Sequence, residues 1–309
     1  MAKNRSAAAN YTIYLAIRVG VCIVHGVPTD FAIWVVESVA YLFFRLDRRH
    51  RETTLDNLRR AFPGRYREDQ LHTMAFDCYR HIATLVLEVL LLPRKLTSGS
   101  KARYVNLGEY PRLKAVFDSG RPVIVLTAHY GNWELAAHCL GLAGIRSHLV
   151  ARSLDNPFLD RWIRSIRELT GHKILAKAGD IRKMTEVLKA GEVICTLGDQ
   201  DAGSHGMFVD FFGRPASSHK GIARLAQRTG AVIAVVGMQK TGGLLEYTLR
   251  VMDIIRPEDY PDDIEGTLAI TQRYATGIEQ MIRLDPVQYF WVHRRWKHSP
   301  PATANCKAA

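Results

Sequence analysis

Short β-branched runs that alternate with amphipathic stretches dominate the chain from residue 121 onward. RPVIVLTAH, which begins at Arg121, is a continuous apolar run of the kind that forms a strand buried on both faces. Further strand-like runs follow at HLVAR, KILA, EVICTLGD and AVIAVVGMQ, with stretches of helical apolar spacing between them. Strands and helices in this alternation predict an α/β fold in which helices flank a central, mainly parallel sheet.

Other segments of the body give simpler predictions. Apolar residues at helical spacing predict a helix from Glu68 to Leu92, which Pro93 ends. DAGSHGMFVDFFGRPASS, residues 201–218, is predicted to be a loop, and a last long helix is predicted near residues 264–284.

The N-terminal segment differs from the body because it is mostly apolar. Charged residues such as Arg18 interrupt residues 11–46 before an apolar run reaches the about 18 residues of a clean spanning helix. A basic stretch, Arg45–Arg67, follows directly and holds eight arginines against three carboxylates. An apolar segment beside a basic one is typical of attachment to an anionic membrane, so residues 1–46 are predicted to be a membrane-associated helical segment. The alternative is a buried helical hairpin with a solvated basic face.

The net charge of the chain limits the kinds of molecule that it is expected to bind. The chain has 309 residues, enough for a sizeable core, and a formal net charge of +12. Such an excess indicates a polyanionic partner, either nucleic acid, an anionic membrane or a phosphorylated substrate. The sequence has no zinc-finger spacing, no aromatic RNA-binding motif and no basic zipper, so no nucleic acid is expected. Its five cysteines are scattered without a CxxC pair, which argues for a reducing compartment and against a cysteine-based zinc site.

Polar residues follow two of the most apolar strands, where an α/β sheet usually binds its ligands. His129 and Glu134 come after VIVLTA, and Asp199 comes after VICTLG. The His-x4-acid spacing alone is weak, because four such pairs occur against about 1.2 expected by chance. Only this pair stands between a strand and a helix, with Gly131-Asn132 as a turn that brings the two side chains together.

The chemistry of this pair fits acid–base catalysis. A neutral His129 can act as general base toward a hydroxyl, and a carboxylate can orient its ring and stabilise the imidazolium. In the alternative interpretation, Glu134 occupies its position only because a negative charge is favourable at a helix N-terminus, and His129 is an ordinary residue at a strand end. The residues alone leave both interpretations open.

Other kinds of site have weaker support. The chain has no G-x-S-x-G motif, and Cys195 lies in an apolar strand where it is expected to pack as a small hydrophobe. No histidines have ligand-like spacing, and no Walker or Rossmann glycine motif is present. We therefore expect neither a metal nor a cofactor.

Three segments together resemble a known family: TAHYGNWELAAH, the run from LGDQDAGSHG to RLAQRTGA, and YFWVHRRWKH. They resemble the bacterial lipid A biosynthesis acyltransferases, the lauroyl and myristoyl group of the lysophospholipid acyltransferase-like superfamily. NLRRAFPG resembles an early segment of that family, and the resemblance spans residues 10–298. It implies an O-acyltransferase on the cytoplasmic face of the bacterial inner membrane. Such an enzyme moves a fatty acyl chain from acyl-carrier protein or acyl-CoA to a hydroxyl of a lipid A precursor or related glycolipid.

The resemblance also implies roles for particular residues. His129 and Glu134 match the family's H-x4-D/E motif, with His129 as general base, and Asp199 matches an acidic residue that partners this histidine. Basic side chains would neutralise acceptor phosphates or the oxyanion, and we assign Arg152, Arg164 and Arg167 to this role. Asn132 and Asp201 are assigned to substrate binding beside them.

Aromatic residues in two further segments have two interpretations each. Phe211 and Phe212 are expected to form a tight turn that covers the acyl channel, or else a hairpin tip packed on the core. Trp291 and Trp296, which stand among basic residues, are expected to form a membrane-facing or core-locking end.

The resulting division of the chain has three parts. Residues 1–46 are the membrane segment, 47–298 the acyltransferase domain and 299–309 a disordered tail. The partners implied are an acyl-carrier protein or acyl-CoA donor, a phosphorylated glycolipid acceptor and an anionic membrane. One alternative acylates phosphatidylinositol mannoside or lysophospholipid, and another is a non-catalytic membrane protein that binds lipid.

Overall fold

A computed structural model describes residues 6–176 and 181–300 of the chain, which fold into an α/β structure. The helices are α1 (Ala7–Gly26), α2 (Thr29–Leu46), α3 (Arg48–Ala61), α4 (Glu68–Lys95), α5 (Lys101–Tyr104), α6 (Tyr110–Asp118), α7 (Trp133–Leu142), α8 (Pro157–Glu168), α9 (Ile181–Lys189), α10 (Lys220–Thr229) and α11 (Ile264–Leu284). The strands are β1 (Val105–Asn106), β2 (Val123–Thr127), β3 (Ser147–Ala151), β4 (Lys173–Ala176), β5 (Val193–Leu197), β6 (Met207–Phe211), β7 (Arg214–Ser218), β8 (Val232–Lys240) and β9 (Tyr247–Ile255). The predicted fold class is confirmed.

The central sheet has seven strands in the order β1-β9-β8-β2-β5-β3-β4. β2 pairs in parallel with both β5 and β8, and β9 runs antiparallel to β8. In the middle strand, Val123 to Leu126 are all buried, because helices cover both faces of the sheet. This burial explains the continuous apolar run in the sequence.

The loop predicted for residues 201–218 is wrong in its second half, where β6 and β7 form an antiparallel hairpin. Its turn residues, Phe212 and Gly213, have φ angles of 58° and 71°. Positive φ at both central positions suits a tight hairpin turn, although phenylalanine is an unusual residue for that conformation. The backbone N–H of Phe212 donates to Glu279 on α11, 2.6 Å away, and this contact fixes the turn against the core.

The apolar N-terminal segment forms two helices that relate differently to the body. α1 has no buried residue and is the one helix in the described part of the chain that is long and apolar enough to cross a membrane. It touches the body through Tyr11 and Tyr14, whose rings lie 5.2 and 6.1 Å from that of Phe158 on α8. α2 packs along α4 and buries Ala32 and Ala40, so its inner face belongs to the folded body.

The basic stretch after α2 forms α3 and its C-terminal turn. The apolar face of α3, which includes Leu55 and Leu58, is buried, whereas most of its arginines face solvent. α4 follows and continues to Lys95, so the prediction that Pro93 ends this helix is wrong by one turn. Pro93 is accommodated because it lies within the last turn.

The segment after α11 crosses the core. Trp291 is fully buried and its indole Nε1–H donates to the Pro286 carbonyl at 2.7 Å. Arg295 is also buried, and one of its Nη atoms donates to the carbonyl of Ser217 at 2.6 Å. Of the two interpretations of this end, Trp291 fits the core-locking one. Most of the predicted tail, residues 301–309, lies outside the described residues.

Candidate active site

His129 and Asp199 meet at the carboxyl edge of the sheet. β2 and β5 are neighbours in parallel register, with Thr127 opposite Leu197, so the residues that follow each strand converge. The Nδ1 atom of His129 lies 2.9 Å from one Asp199 carboxylate oxygen. The backbone N–H of His129 donates to the other oxygen at 3.1 Å. One carboxylate therefore fixes both the backbone and the ring of the histidine.

Asp199 is buried but ionised. Burial by itself would raise the pKa of this carboxyl, but the charge of His129 and the hydrogen bonds from it lower the pKa to about 2. An ionised carboxylate only accepts hydrogen bonds, so Nδ1 carries a proton toward Asp199, and Nε2 is the nitrogen that is free to accept a proton when the ring is neutral. This is the tautomer that a general base requires.

The turn after His129 admits only glycine at one position. Gly131 has a φ of +56°, and a Cβ atom there would lie 1.6 Å from the carbonyl oxygen of Met238. The side chain of Asn132 then caps α7 by accepting from the backbone N–H of Leu135 at 2.9 Å. Asn132 is fully buried, so the structure gives it this capping role and does not place it among the cavity residues, contrary to its assignment to substrate binding.

A buried carboxylate on α4 forms hydrogen bonds that stabilise this turn. Glu88 accepts hydrogen bonds from Asn132 Nδ2 at 3.0 Å, from the Tyr247 hydroxyl at 2.6 Å and from Lys240 Nζ at 2.5 Å. About two turns earlier on the same helix, His81 Nε2 lies 3.0 Å from the carbonyl oxygen of Gly131. Burial lowers the pKa of His81, so its ring is neutral and donates from Nε2. Sequence reasoning missed Glu88, whose signal is a charge placed among the apolar residues of a helix.

Aromatic rings enclose the histidine. The ring of Trp133 lies 5.0 Å from that of His129 in an edge contact, and the ring of Phe290 lies 5.8 Å away. The backbone N–H of Phe290 also donates to the His129 carbonyl at 2.9 Å. The C-terminal segment is therefore part of the site, which sequence reasoning did not find because it lies 161 residues further along the chain.

A cavity of about 370 Å³ opens beside His129. Polar side chains and one indole contribute to its lining: His129, Trp133, Glu134, Arg152, Arg167 and Gln200. Strand residues such as Leu149 and Cys195 contribute apolar surface. A lining that combines polar groups with apolar surface suits a ligand that is itself amphipathic.

Glu134 lines this cavity, and its carboxylate is held by Arg167. The Nε atom of Arg167 donates to one oxygen at 3.0 Å and an Nη atom donates to the other at 2.5 Å, which makes the contact bidentate. Burial opposes the charge of Arg167, but the hydrogen bonds and charge of Glu134 raise its pKa above the ordinary value. Glu134 thus belongs to a second ion pair in the cavity wall, and the carboxylate on the histidine ring is that of Asp199.

The other two predicted arginines lie near the rim. Arg152 lines the cavity with 81% of its side chain exposed, and it lies 3.5 Å from Asp155. Arg164 pairs with Asp160 at 2.7 Å on the same helix and lies outside the set of cavity residues. Arg164 and Arg167 are three residues apart, about 60° in projection, so they are neighbours on α8, but only Arg167 lines the cavity.

Three further predicted residues lie away from the cavity. The backbone N–H of Asp201 donates to His293 Nε2 at 2.9 Å, and its carboxylate lies 2.7 Å from His298 Nδ1. Phe211 and Phe212 are buried in the aromatic core, where the ring of Phe212 lies 5.9 Å from that of Trp291. The expectation that these phenylalanines cover an acyl channel is therefore not met, because the hairpin turn folds onto α11 and packs as the alternative predicted.

A narrow apolar cavity of about 70 Å³ lies on the inner side of α7. It shares Thr127, Trp133, Ala137 and Cys195 with the His129 cavity. Its deeper residues are all apolar and include Val125, Cys139, Leu140, Val236, Met238 and Leu249. Burial raises the pKa of Cys195 to about 11, so its thiol is a wall group rather than a nucleophile.

Across residues 6–176 and 181–300, no group of three His, Cys, Asp or Glu side chains is arranged to hold a metal ion. The chemistry available in this region is that of a buried His–Asp pair beside an amphipathic cavity. On an α/β sheet, that combination is typical of enzymes that activate a hydroxyl by general-base catalysis.

Comparison with known proteins gives the family. Residues 2–298 match the profile of the family described as bacterial lipid A biosynthesis acyltransferase. The chain belongs to this family, and the resemblance seen in the sequence is confirmed.

Individual relatives are more distant. The chain is 31% identical to the lipid A biosynthesis lauroyltransferase of Escherichia coli K12 over 206 residues, 64% of each protein. It is 25% identical to the palmitoleoyltransferase of the same organism, over 82% of this chain and 80% of that protein. It is 27% identical to the phosphatidylinositol mannoside acyltransferase of Mycobacterium tuberculosis H37Rv, over 68% of this chain and 66% of that protein. The chain therefore spans just under two thirds of the length of the first of these relatives.

Proposed function

We propose that this protein transfers a fatty acyl group from a thioester donor to a hydroxyl of a glycolipid, with His129 as general base. The observation that carries the proposal is the contact between His129 Nδ1 and the buried, ionised Asp199 at 2.9 Å. It supports a ring that is oriented so that, in its neutral form, Nε2 accepts a proton.

The reaction follows from this geometry. Nε2 of His129 removes the proton of the acceptor hydroxyl as its oxygen attacks the thioester carbonyl carbon. The new C–O bond forms, the C–S bond breaks, and the departing thiolate takes the proton from the imidazolium. Asp199 stabilises the imidazolium while it exists, which is the usual function of a carboxylate on such a ring.

Direct transfer fits the side chains of the cavity. Among the described residues, Cys195 lines both cavities and Cys139 lines the apolar one, and burial raises the pKa of both thiols, to about 11 and about 12. Neither forms a thiolate at neutral pH, so a covalent acyl-cysteine intermediate is not part of this proposal.

The apolar cavity is the proposed position of the acyl chain. It shares Thr127, Trp133 and Cys195 with the His129 cavity, so in this proposal a chain inside it has its carbonyl end toward the histidine. Its walls are almost entirely apolar, which suits a methylene chain at about 0.8 kcal/mol for each buried CH₂ group.

The polar cavity is the proposed position of the acceptor. Arg152 and Arg167 present cations there, and Glu134 holds the Arg167 guanidinium in place. Two relatives are named for lipid A biosynthesis, which favours a phosphorylated lipid A precursor as acceptor. The mycobacterial relative supports phosphatidylinositol mannoside as the second candidate. Both acyl-carrier protein and coenzyme A present the same thioester, so either donor fits this site.

We also propose attachment to an anionic inner membrane from its cytoplasmic side. No residue of α1 is in the buried interior, and exposed side chains such as Phe31, Trp34 and Phe43 extend the apolar surface along α2. The arginines of α3 follow immediately, and a basic segment next to an apolar one favours the cytoplasmic leaflet. A lipid acceptor is then available without leaving the bilayer.

The alternative of a non-catalytic lipid-binding protein has less support. A binding protein does not need an ionised carboxylate buried against a histidine, since that arrangement costs desolvation energy and contributes no apolar contact. The site has this arrangement at the edge of an amphipathic cavity, which favours chemistry.

The test is acyl transfer by purified His129→Asn, with His205→Asn as a matched control because His205 is exposed. Acyl-acyl-carrier protein and acyl-CoA are offered separately with a lipid A precursor or with phosphatidylinositol mannoside, and products are identified by mass spectrometry. We expect His129→Asn to lose about 10²–10⁴-fold in rate, while the control keeps wild-type activity. A His129→Asn protein that folds normally and retains more than about a tenth of the rate would contradict the general-base role.

A further inference from the structure

A second cavity, of about 530 Å³, lies between α3 and the end of the described chain. One face of α3 contributes Arg49, Asn57 and Arg60, and the C-terminal segment contributes Arg294, Trp296 and Lys297. We call this the α3 cleft. None of its residues lines the His129 cavity.

The two walls of the α3 cleft are fastened by one buried side chain. Asn57 Nδ2 donates to the carbonyl oxygens of both Trp291 and His293, each at 2.7 Å. The basic segment near the N-terminus and the basic segment near the C-terminus, more than 230 residues apart, thereby face the same space. The sequence alone does not show that these two basic segments are close together in the fold.

The charges of the α3 cleft are unbalanced. Four cationic side chains and two carboxylates, Glu52 and Asp56, line it. Asp56 is paired with Arg60 at 2.9 Å, and Glu52 lies 3.8 Å from Arg51. Within residues 6–176 and 181–300, the side chains of Arg49, Arg294 and Lys297 have no hydrogen-bond or ion-pair partner.

A tryptophan forms part of the cleft wall. The ring of Trp296 packs against Phe211 with 6.0 Å between ring centres, which fixes the side chain there. Its Nε1–H is shielded from solvent, so the groups that a ligand in the cleft would meet are the cations.

We propose that the α3 cleft binds a phosphate group, at a site separate from the catalytic cavity. Guanidinium and ammonium groups form charge-assisted hydrogen bonds to phosphate oxygens. The phosphate can belong to a membrane lipid headgroup or to a soluble donor such as coenzyme A. The charge pattern is the same for both, so the experiment must separate them.

One wall of the α3 cleft is next to a residue that contacts the chain just after Asp199. Its wall residue Arg294 follows His293, whose Nε2 accepts from the backbone N–H of Asp201 at 2.9 Å, two residues beyond Asp199. A phosphate held in the cleft would keep its parent molecule against the same side of the protein as this segment. Binding itself can be measured without catalysis, so the inference stands apart from the proposed reaction.

The test uses a variant that removes two unpaired cations, Arg294→Gln with Lys297→Gln. The matched control, Arg224→Gln with Arg228→Gln, removes two exposed cations from α10. Coenzyme A binding is measured by calorimetry, and vesicle binding is measured by flotation with phosphatidylcholine alone or with phosphatidic acid added. Loss of two charge-assisted contacts predicts about tenfold weaker binding or more for the probe whose phosphate occupies the cleft.

The outcomes separate the two sources of phosphate. Weaker coenzyme A binding with unchanged vesicle binding assigns the cleft to the soluble donor, and loss of the phosphatidic acid-dependent vesicle binding assigns it to the lipid headgroup. The proposal is overturned if the cleft variant matches the wild type and the control with both probes.

Discussion

Replacing Asp199 by asparagine is the sharpest test of how the site works. In the native site, one carboxylate oxygen lies 2.9 Å from His129 Nδ1 and the other accepts the His129 backbone N–H at 3.1 Å. An asparagine side chain has one oxygen and one NH₂ group, so it can serve only one of these donors. If the NH₂ group faces Nδ1, the ring must protonate on Nε2, which is the nitrogen proposed to act as base.

This change of tautomer sets the expected magnitude. A histidine locked with its proton on Nε2 cannot accept the hydroxyl proton, so Asp199→Asn should lower kcat by about 10²–10⁴-fold. The rate of acyl transfer is measured with saturating donor and acceptor, and Asp262→Asn is the control because Asp262 is exposed. Retention of more than about a tenth of kcat in a folded Asp199→Asn protein would refute the role of Asp199 in fixing the ring.

The same substitution predicts a change in acid stability. Burial opposes ionisation of Asp199, but His129 lowers its pKa from 3.8 to about 2. Because the folded-state pKa is the lower one, this group stabilises the fold above about pH 4, and that contribution is lost as the pH falls toward 2. Denaturant unfolding across this range should show the corresponding loss in the wild type and its absence in Asp199→Asn. If the unfolding free energy of the two proteins changes equally with pH over this range, the histidine does not hold the carboxyl in its ionised form.

Other predictions concern the turn, the apolar cavity and the membrane segment. Gly131→Ala should cost about 3 kcal/mol or more in unfolding free energy, because its Cβ would overlap a backbone carbonyl; Gly144→Ala, with positive φ but open space, should cost about 1 kcal/mol. If chemical denaturation gives similar losses of unfolding free energy for the two variants, the positive φ alone, and not the overlap with the carbonyl, determines the cost. Ala137→Leu, in the wall shared by both cavities, should lower the rate with long acyl donors about tenfold relative to short donors, and an unchanged preference would remove the acyl chain from this cavity. Val19→Asp with Ile23→Asp, at side chains that are each 58% exposed, should weaken vesicle binding about tenfold or more, whereas undiminished flotation would place the membrane contact elsewhere.

The sequence predicts the sheet well because buried parallel strands leave an unmistakable pattern. VIVLT and VICTL are continuous apolar runs, and they form β2 and β5 side by side at the centre of the sheet. The β6–β7 hairpin was harder to predict, because its turn places Phe212 at positive φ where glycine or asparagine would be the usual signal. The favourable contact with Glu279, which compensates for this conformation, comes from a distant helix.

The sequence predicts the two central residues of the site, but not all of the residues that surround them. His129 and Asp199 could be named because each follows a buried strand, and neighbouring parallel strands bring such residues together. Glu88 and Phe290, which support the turn and enclose the ring, come from elements with no sequence relation to either strand. Which arginines face a cavity depends on helix rotation, so Arg164 and Arg167 could not be separated before the orientation of α8 was known.

The spacing of His129 and Glu134 acquires a different meaning in the structure. The spacing alone suggested that the two side chains form one catalytic pair across a turn. In the fold, the turn ends at Asn132, which caps α7, so Glu134 lies in the first helical turn and is directed toward Arg167 on α8. His129 stays at the strand end, where Asp199 contacts its ring. In the proposed mechanism the two acidic residues therefore have different roles: Asp199 orients the base, and Glu134 positions a cation in the cavity wall. A comparison of Glu134→Gln with Asp199→Asn should separate these functions, since the first is expected to raise KM for a phosphorylated acceptor and the second to lower kcat.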